Sequence, residues 1–186
     1  MKRSISGITN VLWTKFRLFR LKLKLGEKLQ YQKREHFAAS AELQFDKGAT
    51  ITIGKGVYLR RGCSLKIRKN AKLSIGDGVM FNNSCIIGCH DQITIGDHTA
   101  FGPGVYLYDH DHDYRKGLDS GEYLTTPIKI GKNCWIGAGT IILRGTEIGD
   151  DCVVGAGCVL RGKYPDHSLI VQKRETTVSA IQKQTD

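Results

Sequence analysis

The sequence is poor in proline, with three in 186 residues, and has no run of 18 apolar residues. The first scarcity, set against 22 glycines, disfavours collagen and Pro-rich linkers. The second excludes a membrane-spanning helix. No secretory leader is expected: the one candidate, Ser4 to Trp13, is short, lacks an obvious cleavage site and runs straight into Lys15 and Arg17. No Cys-x-x-Cys pair occurs among the six cysteines, and no helix-turn-helix, zinc finger or aromatic-rich RNA motif is present. These absences predict a soluble, cytoplasmic chain that binds no nucleic acid. What is present suffices for one ordinary domain: 40% of the residues are hydrophobic and 25% charged, too apolar for a disordered chain. Glycine at this abundance asks for a backbone with many tight corners.

The formal charge of +10 sits at one end. Residues 1–36 hold ten basic side chains against Glu27 and Glu35, whereas the other 150 residues carry 18 basic and 16 acidic groups. Within the basic segment Ile8, Leu12, Phe16, Phe19 and Leu23 recur at helical spacing, with Lys15, Arg17, Arg20 and Lys22 between them. Leu21, Leu23 and Leu25 then alternate with Lys22 and Lys24, as in a strand. Such a segment either packs its apolar stripe on the body of the protein and solvates its charges, or serves an anionic partner. An anionic membrane surface would place the chain peripherally, at the inner membrane face.

From residue 53 the sequence repeats with a period of six. Large apolar residues fall at Ile53, Leu59 and Leu65, then at Ile75, Phe81 and Ile87, then at Ile95, Phe101 and Leu107. After a break they run without interruption from Ile130 through Ile136, Ile142, Ile148 and Val154 to Leu160. Glycine follows the large residue at Gly54, Gly76, Gly102, Gly137 and others, and a second glycine set, such as Gly78 and Gly104, precedes a small residue. Period six fits neither a helix nor a single strand. It fits a short extended run and a sharp turn, repeated, so that three sides make a triangular coil and stacked coils bury an aliphatic ladder. Cys63, Cys85, Cys134, Cys152 and Cys158 all fall on the small inward position, where cysteine is a compact hydrophobe. Gly137-Ala138-Gly139 and Gly155-Ala156-Gly157 sit on the same beat with no βαβ unit around them, which excludes a dinucleotide fingerprint.

The hexads stop between Leu107 and Ile128, and the loop opens Tyr108-Asp109-His110-Asp111-His112-Asp113-Tyr114. This is the densest set of titratable groups in the chain. Two imidazoles there suit general base chemistry, with Asp109 or Asp111 as the group that orients one of them. A plain solvated loop tip is the alternative.

The repeats resemble the hexapeptide-repeat acyltransferases, most sharply over Ile130 to Gly139 and Ile148 to Gly157. The likeness reaches both the maltose and galactoside acetyltransferase branch and the sugar O-acetyltransferases of bacterial surface-polysaccharide pathways. The resemblance implies a left-handed parallel β-helix over residues 46–165, between a basic amphipathic segment (1–45) and a C-terminal tail (166–186). It also implies a homotrimer that moves an acetyl group from acetyl-CoA to a hydroxyl of a saccharide or lipid-linked saccharide. By the family's spacing the catalytic histidine lies five positions after Leu107, which is His112, with His110 as the fallback. Asn82 matches an acceptor-site asparagine, although an asparagine at a solenoid corner can also merely tolerate positive φ. Trp135, Ala138, Ala156 and Arg161 match positions lining the acetyl-CoA groove. After Pro165 the chain departs from the family's closing segment, so no nucleotide site is carried over to Lys173 or Arg174. Two rivals share the fold: a γ-carbonic-anhydrase-like zinc lyase drawing on His90, His98, His110 and His112, and a non-catalytic scaffold. The histidine separations do not match the first.

Overall fold

The computed structural model describes residues 5–173 and 175–179. Lys2 and Arg3 of the basic segment, Arg174 and the end of the tail lie outside the described residues. Three parallel sheets wall a prism. Face A runs from Leu29–Tyr31 through Thr50–Ile53, Lys72–Ile75, Gln92–Ile95, Ile128–Ile130 and Glu147–Ile148 to Lys163–Tyr164. Face B runs from His36–Phe37 to Leu169–Ile170, and face C from Glu42–Phe45 to Val159–Leu160. The winding is consistent with the left-handed β-helix that the resemblance implies. Each coil hydrogen-bonds to the next, as in Tyr106 N–H to the Thr140 carbonyl at 2.9 Å, so the backbone is satisfied along the stack. The period-six residues fill the interior. Ile53, Ile75, Ile95, Ile130 and Ile148 form one buried ladder, and Phe81 stacks on Phe101 with ring centroids 4.6 Å apart. The five cysteines of the small position are buried and free, as is Cys89.

The two glycine sets have different physical causes. A Cβ on Gly102 would stand 2.6 Å from the Ala138 amide nitrogen and 2.9 Å from its Cα, because the next coil's backbone passes there. Gly104, by contrast, has nothing within 4 Å of that point but a φ of +66°. At the equivalent corner position Ser84, Asn133 and Asp151 also adopt positive φ. Gly102→Ala is therefore expected to cost about 1–3 kcal/mol, read by thermal or chemical unfolding, because backbone cannot swing aside. Gly104→Asn is expected to cost much less, since asparagine tolerates the left-handed region.

Two boundaries differ from expectation. The solenoid begins at Leu29, not residue 46: Tyr31, Phe37 and Leu43 pair with Ile53, Leu59 and Leu65 as the first coil. The beat of six is present there, but Gln32, Ala38 and Gln44 stand where later coils place glycine, and the pattern fades. At the other end the tail is not all tail, since Leu169–Ile170 form the last strand of face B.

The N-terminal segment is a helix, Ile5–Leu25, that continues through residues 21–25 where alternation suggested a strand. Helical geometry wins because Leu18 and Leu25, two turns apart, share one buried face. The helix sits on the first coil. Thr14 Oγ1 accepts from the Phe37 amide at 3.0 Å and donates to the Phe37 carbonyl at 3.2 Å. Arg17 donates to the Ala41 carbonyl and Lys24 to that of Phe45. No helix among the described residues is long and apolar enough to cross a membrane.

Candidate active site

The prism has three edges, and the edge joining face C to face A gathers three of the chain's histidines around a tyrosine and a buried aspartate. The third coil turns this edge with His90 and Asp91. The fourth leaves the stack after Tyr106–Tyr108, builds a hairpin of His110–His112 against Tyr123–Thr125, and returns at Ile128. Asp109, the residue at which the chain departs, is fully buried. Its carboxylate closes the turn of the coil before it, accepting from the His90 and Asp91 amides at 2.8 Å each. Its Oδ1 also lies 3.2 Å from His110 Nδ1. Burial alone would push the Asp109 carboxyl up, but the hydrogen bonds from His110 and the two amides outweigh it and hold the group below the usual carboxylate range.

The three imidazoles gather around one phenol. His90 stacks on His110 with centroids 3.6 Å apart, and Tyr123 stands 4.3, 5.3 and 4.6 Å from His90, His110 and His112. His110 is enclosed, with 16% of its side chain accessible, whereas His112 is exposed on the hairpin. Asp111 is not an orienting group. It faces Arg144, whose Nε donates to Asp111 Oδ2 at 2.5 Å and whose other arm reaches Thr126, tying the hairpin to the next coil. Of the two carboxylates that sequence left open, Asp109 meets an imidazole. Tyr123 and Arg144 were not foreseen. Arg144 was in principle legible, because it follows Leu143, which pairs with Tyr108.

Burial first, and the charge of His110 second, push the His90 imidazole down to about 4. The unfolded chain takes up that proton near 6.5, so this group's contribution to stability is full above about 6.5 and is lost as pH falls toward 4. Denaturant midpoints measured from pH 7.5 down to 4.5 are expected to fall less steeply for His90→Gln than for the parent.

The remaining candidates divide between two edges. Asn82, Ala138 and Ala156 lie on the edge between faces B and C, with Trp135 beside them on the outer surface of face B, 64% exposed. Asn82 is not a positive-φ residue, so tolerance of a left-handed corner does not explain it. Its Oδ1 accepts from the Asn83 amide at 2.8 Å and from Arg60 at 3.4 Å. Arg161 lies on the C–A edge with the histidines. Face C separates the two groups by a strand of four residues, Ile86–Cys89, which is about 13 Å. One chain therefore does not bring Asn82 to the imidazoles. His98 turns the third edge, between faces A and B, apart from His90, His110 and His112. Among the described residues no three His, Cys, Asp or Glu side chains converge as metal ligands. Two surface hollows, of about 380 and 690 Å³, are lined by Lys129, Glu147 and Lys163 and by Lys24, Lys47 and Lys69 respectively, and neither reaches the hairpin.

Comparison with known proteins agrees with this architecture. Residues 127–161 match the family model described as the hexapeptide repeat of succinyl-transferase. Nodulation protein L of Rhizobium meliloti is 46% identical over 65 residues, which are 34% of this chain and 36% of that protein. A probable acetyltransferase of Mycobacterium tuberculosis is 32% identical over 89 residues, 46% of this chain and 30% of that one. The chain thus spans about a third of the length of these relatives. AntD, an N-acyltransferase from Bacillus cereus solved with dTDP and 3-hydroxybutyryl-CoA, superposes with a TM-score of 0.68 at 20% identity, covering 84% of this chain and 83% of its own. The period of six and the repeat matched over residues 127–161 are those of hexapeptide-repeat proteins, and the three-walled solenoid shares the fold of a solved acyltransferase.

Proposed function

We propose that this chain is an acetyl-CoA-dependent O-acetyltransferase acting on a hydroxyl of a saccharide, in the building of a surface polysaccharide. One observation carries the reading: between Tyr108 and Ile128 the winding opens to present an exposed imidazole, His112, on a hairpin tied to the coil before it by Asp109 and to the coil after it by the Asp111–Arg144 pair. His112 takes the proton from the acceptor hydroxyl. The oxygen attacks the thioester carbonyl, the C–S bond breaks, and the departing thiolate recovers the proton from the imidazolium to leave as free CoA. The mycobacterial relative's name supports acetyl transfer, and the CoA thioester bound to AntD supports the donor class.

The active form is a homotrimer. Outward residues of face A are polar, among them Thr52, Ser74, Thr94 and Lys129, while face B stacks Tyr58, Met80, Trp135, Val153 and Leu169 in exposed register. In a closed three-fold ring this chain covers the same column on a neighbouring copy with the side that bears its hairpin, which brings that copy's B–C edge to the hairpin. Asn82 of that copy then meets the oxyanion, and Trp135, Ala138 and Ala156 flank the pantetheine arm, with Arg161 toward the nucleotide end. The exposed alanines leave room for close backbone approach.

A second reading of the base rests on a specific contact. Asp109 beside His110 Nδ1 is the arrangement that fixes an imidazole's tautomer and orientation, which would make His110 the base. The test follows thiol release from acetyl-CoA across neutral and amino sugars. Turnover only with amino acceptors would replace O-transfer by N-transfer, and no thiol with any acceptor would overturn the assignment.

A further inference from the structure

The helix that caps the first coil buries the face opposite to the one its periodicity suggested. Val11, Thr14, Leu18, Leu21 and Leu25 turn toward the solenoid, whereas Leu12, Phe16, Phe19 and Leu23 turn outward and are 62%, 50%, 57% and 72% exposed. At 100° per residue these four lie within an arc of about 60°, on the side away from the solenoid. Basic residues border that arc on both flanks, Lys15 and Lys22 on one, Arg20 and Lys24 on the other. Ile5–Leu25 contains no acidic residue. Lys24 bonds to the neutral Phe45 carbonyl, which leaves its charge in place, whereas Lys22 also lies 3.7 Å from the exposed Glu27 carboxylate just beyond the helix. Arg20 lies over the Phe16 ring, 5.9 Å from its centroid, so its cation borders the apolar stripe directly.

We infer that the outer face of this helix docks in the plane of an anionic lipid bilayer. A helix of 21 residues is about 31 Å long, and with this pattern it lies along the headgroup boundary: rings and leucines enter the acyl margin, and the flanking cations meet lipid phosphates. A second copy of the chain is the other occupant an apolar face could have. Cations along both borders and the lack of any carboxylate on the helix disfavour it, since like faces brought together would crowd positive charge. The inference goes beyond acetyl transfer and does not depend on it.

The test is co-sedimentation of the full chain with vesicles of phosphatidylcholine alone or mixed with phosphatidylglycerol, at low and high salt, beside size measurement without lipid. Phe16→Ser, Phe19→Ser and Leu23→Ser are combined in one variant. These side chains face away from the core, so the fold is expected to persist, and circular dichroism checks it. The parent is expected to pellet with the mixed vesicles and to be released by high salt. The triple variant should bind at least about a hundredfold more weakly, with unchanged oligomeric size. A second variant, Lys15→Glu with Arg20→Glu, should lose the preference for anionic vesicles while keeping the apolar stripe. Parent protein left in the supernatant at low salt overturns the inference. So does a triple variant that binds vesicles normally but changes its oligomeric size, which would assign the face to a second copy.

Discussion

His112→Ala is expected to lower acetyl transfer by about 10²–10⁴-fold while leaving unfolding temperature near that of the parent. The split between rate and stability follows from where the ring sits. His112 is exposed and its ring lies against Tyr123 at the surface, so its removal opens no buried cavity. Affinity for CoA should hardly change, because the proposed base acts on the acceptor hydroxyl and is not among the residues assigned to the cofactor groove. His110→Ala is expected to behave differently. That ring fills the space between His90, Tyr123 and Asp109, so its loss should destabilise the hairpin, and activity should fall less than for His112→Ala. Should His112→Ala turn over normally while His110→Ala is inert and still folded, the base is the imidazole beside Asp109.

The largest stability effect belongs to Asp109. Asp109→Ala leaves the His90 and Asp91 amides without their acceptor in a fully buried turn, a loss of about 3–5 kcal/mol by analogy with other broken buried charge networks. For a chain of this size that is a fall of roughly 10 °C in Tm, read by calorimetry. Asp109→Asn should rescue only part of it. An amide can accept from one of the two N–H groups but must turn its NH2 toward the other, and only a carboxylate accepts from both. A Tm within about 1 °C of the parent for Asp109→Ala would show that the turn closes without its carboxylate.

The central coils were legible because each carries three independent marks: a large inward residue, a glycine where the next coil passes, and a small residue before the next side. The first coil shows how one missing mark hides the others. Tyr31, Phe37 and Leu43 keep the beat, yet with Gln32 and Ala38 in the glycine positions nothing distinguishes them from a basic linker. Which of the two readings of the N-terminal helix holds is hidden for a related reason. Periodicity finds an apolar stripe but does not say which of two stripes faces inward, and Thr14, buried by its two bonds to Phe37, breaks the apolar pattern of the face that does.

At the hairpin, sequence named both histidines and Asp109, since clustered titratable groups in a loop are visible without a fold. Partnership was not visible. Asp109 against His90 and Asp91, and Asp111 against Arg144, depend on which coil lies above and which below. Spacing along the chain carries no such information across a break. For the same reason Asn82 and His112, close in role by resemblance, proved to occupy different edges of the prism.

The helix rests on the first coil and the hairpin leaves the fourth, with strands stacked about 4.8 Å apart. If the helix lies on a bilayer, the solenoid is a spacer holding the reactive ring at a fixed altitude, three steps or about 14 Å above its base. An acceptor tethered to lipid would then present whichever sugar rises to that height. Adding or deleting one whole coil between them would move the chosen unit outward or inward by a single step, with no change to the chemistry itself.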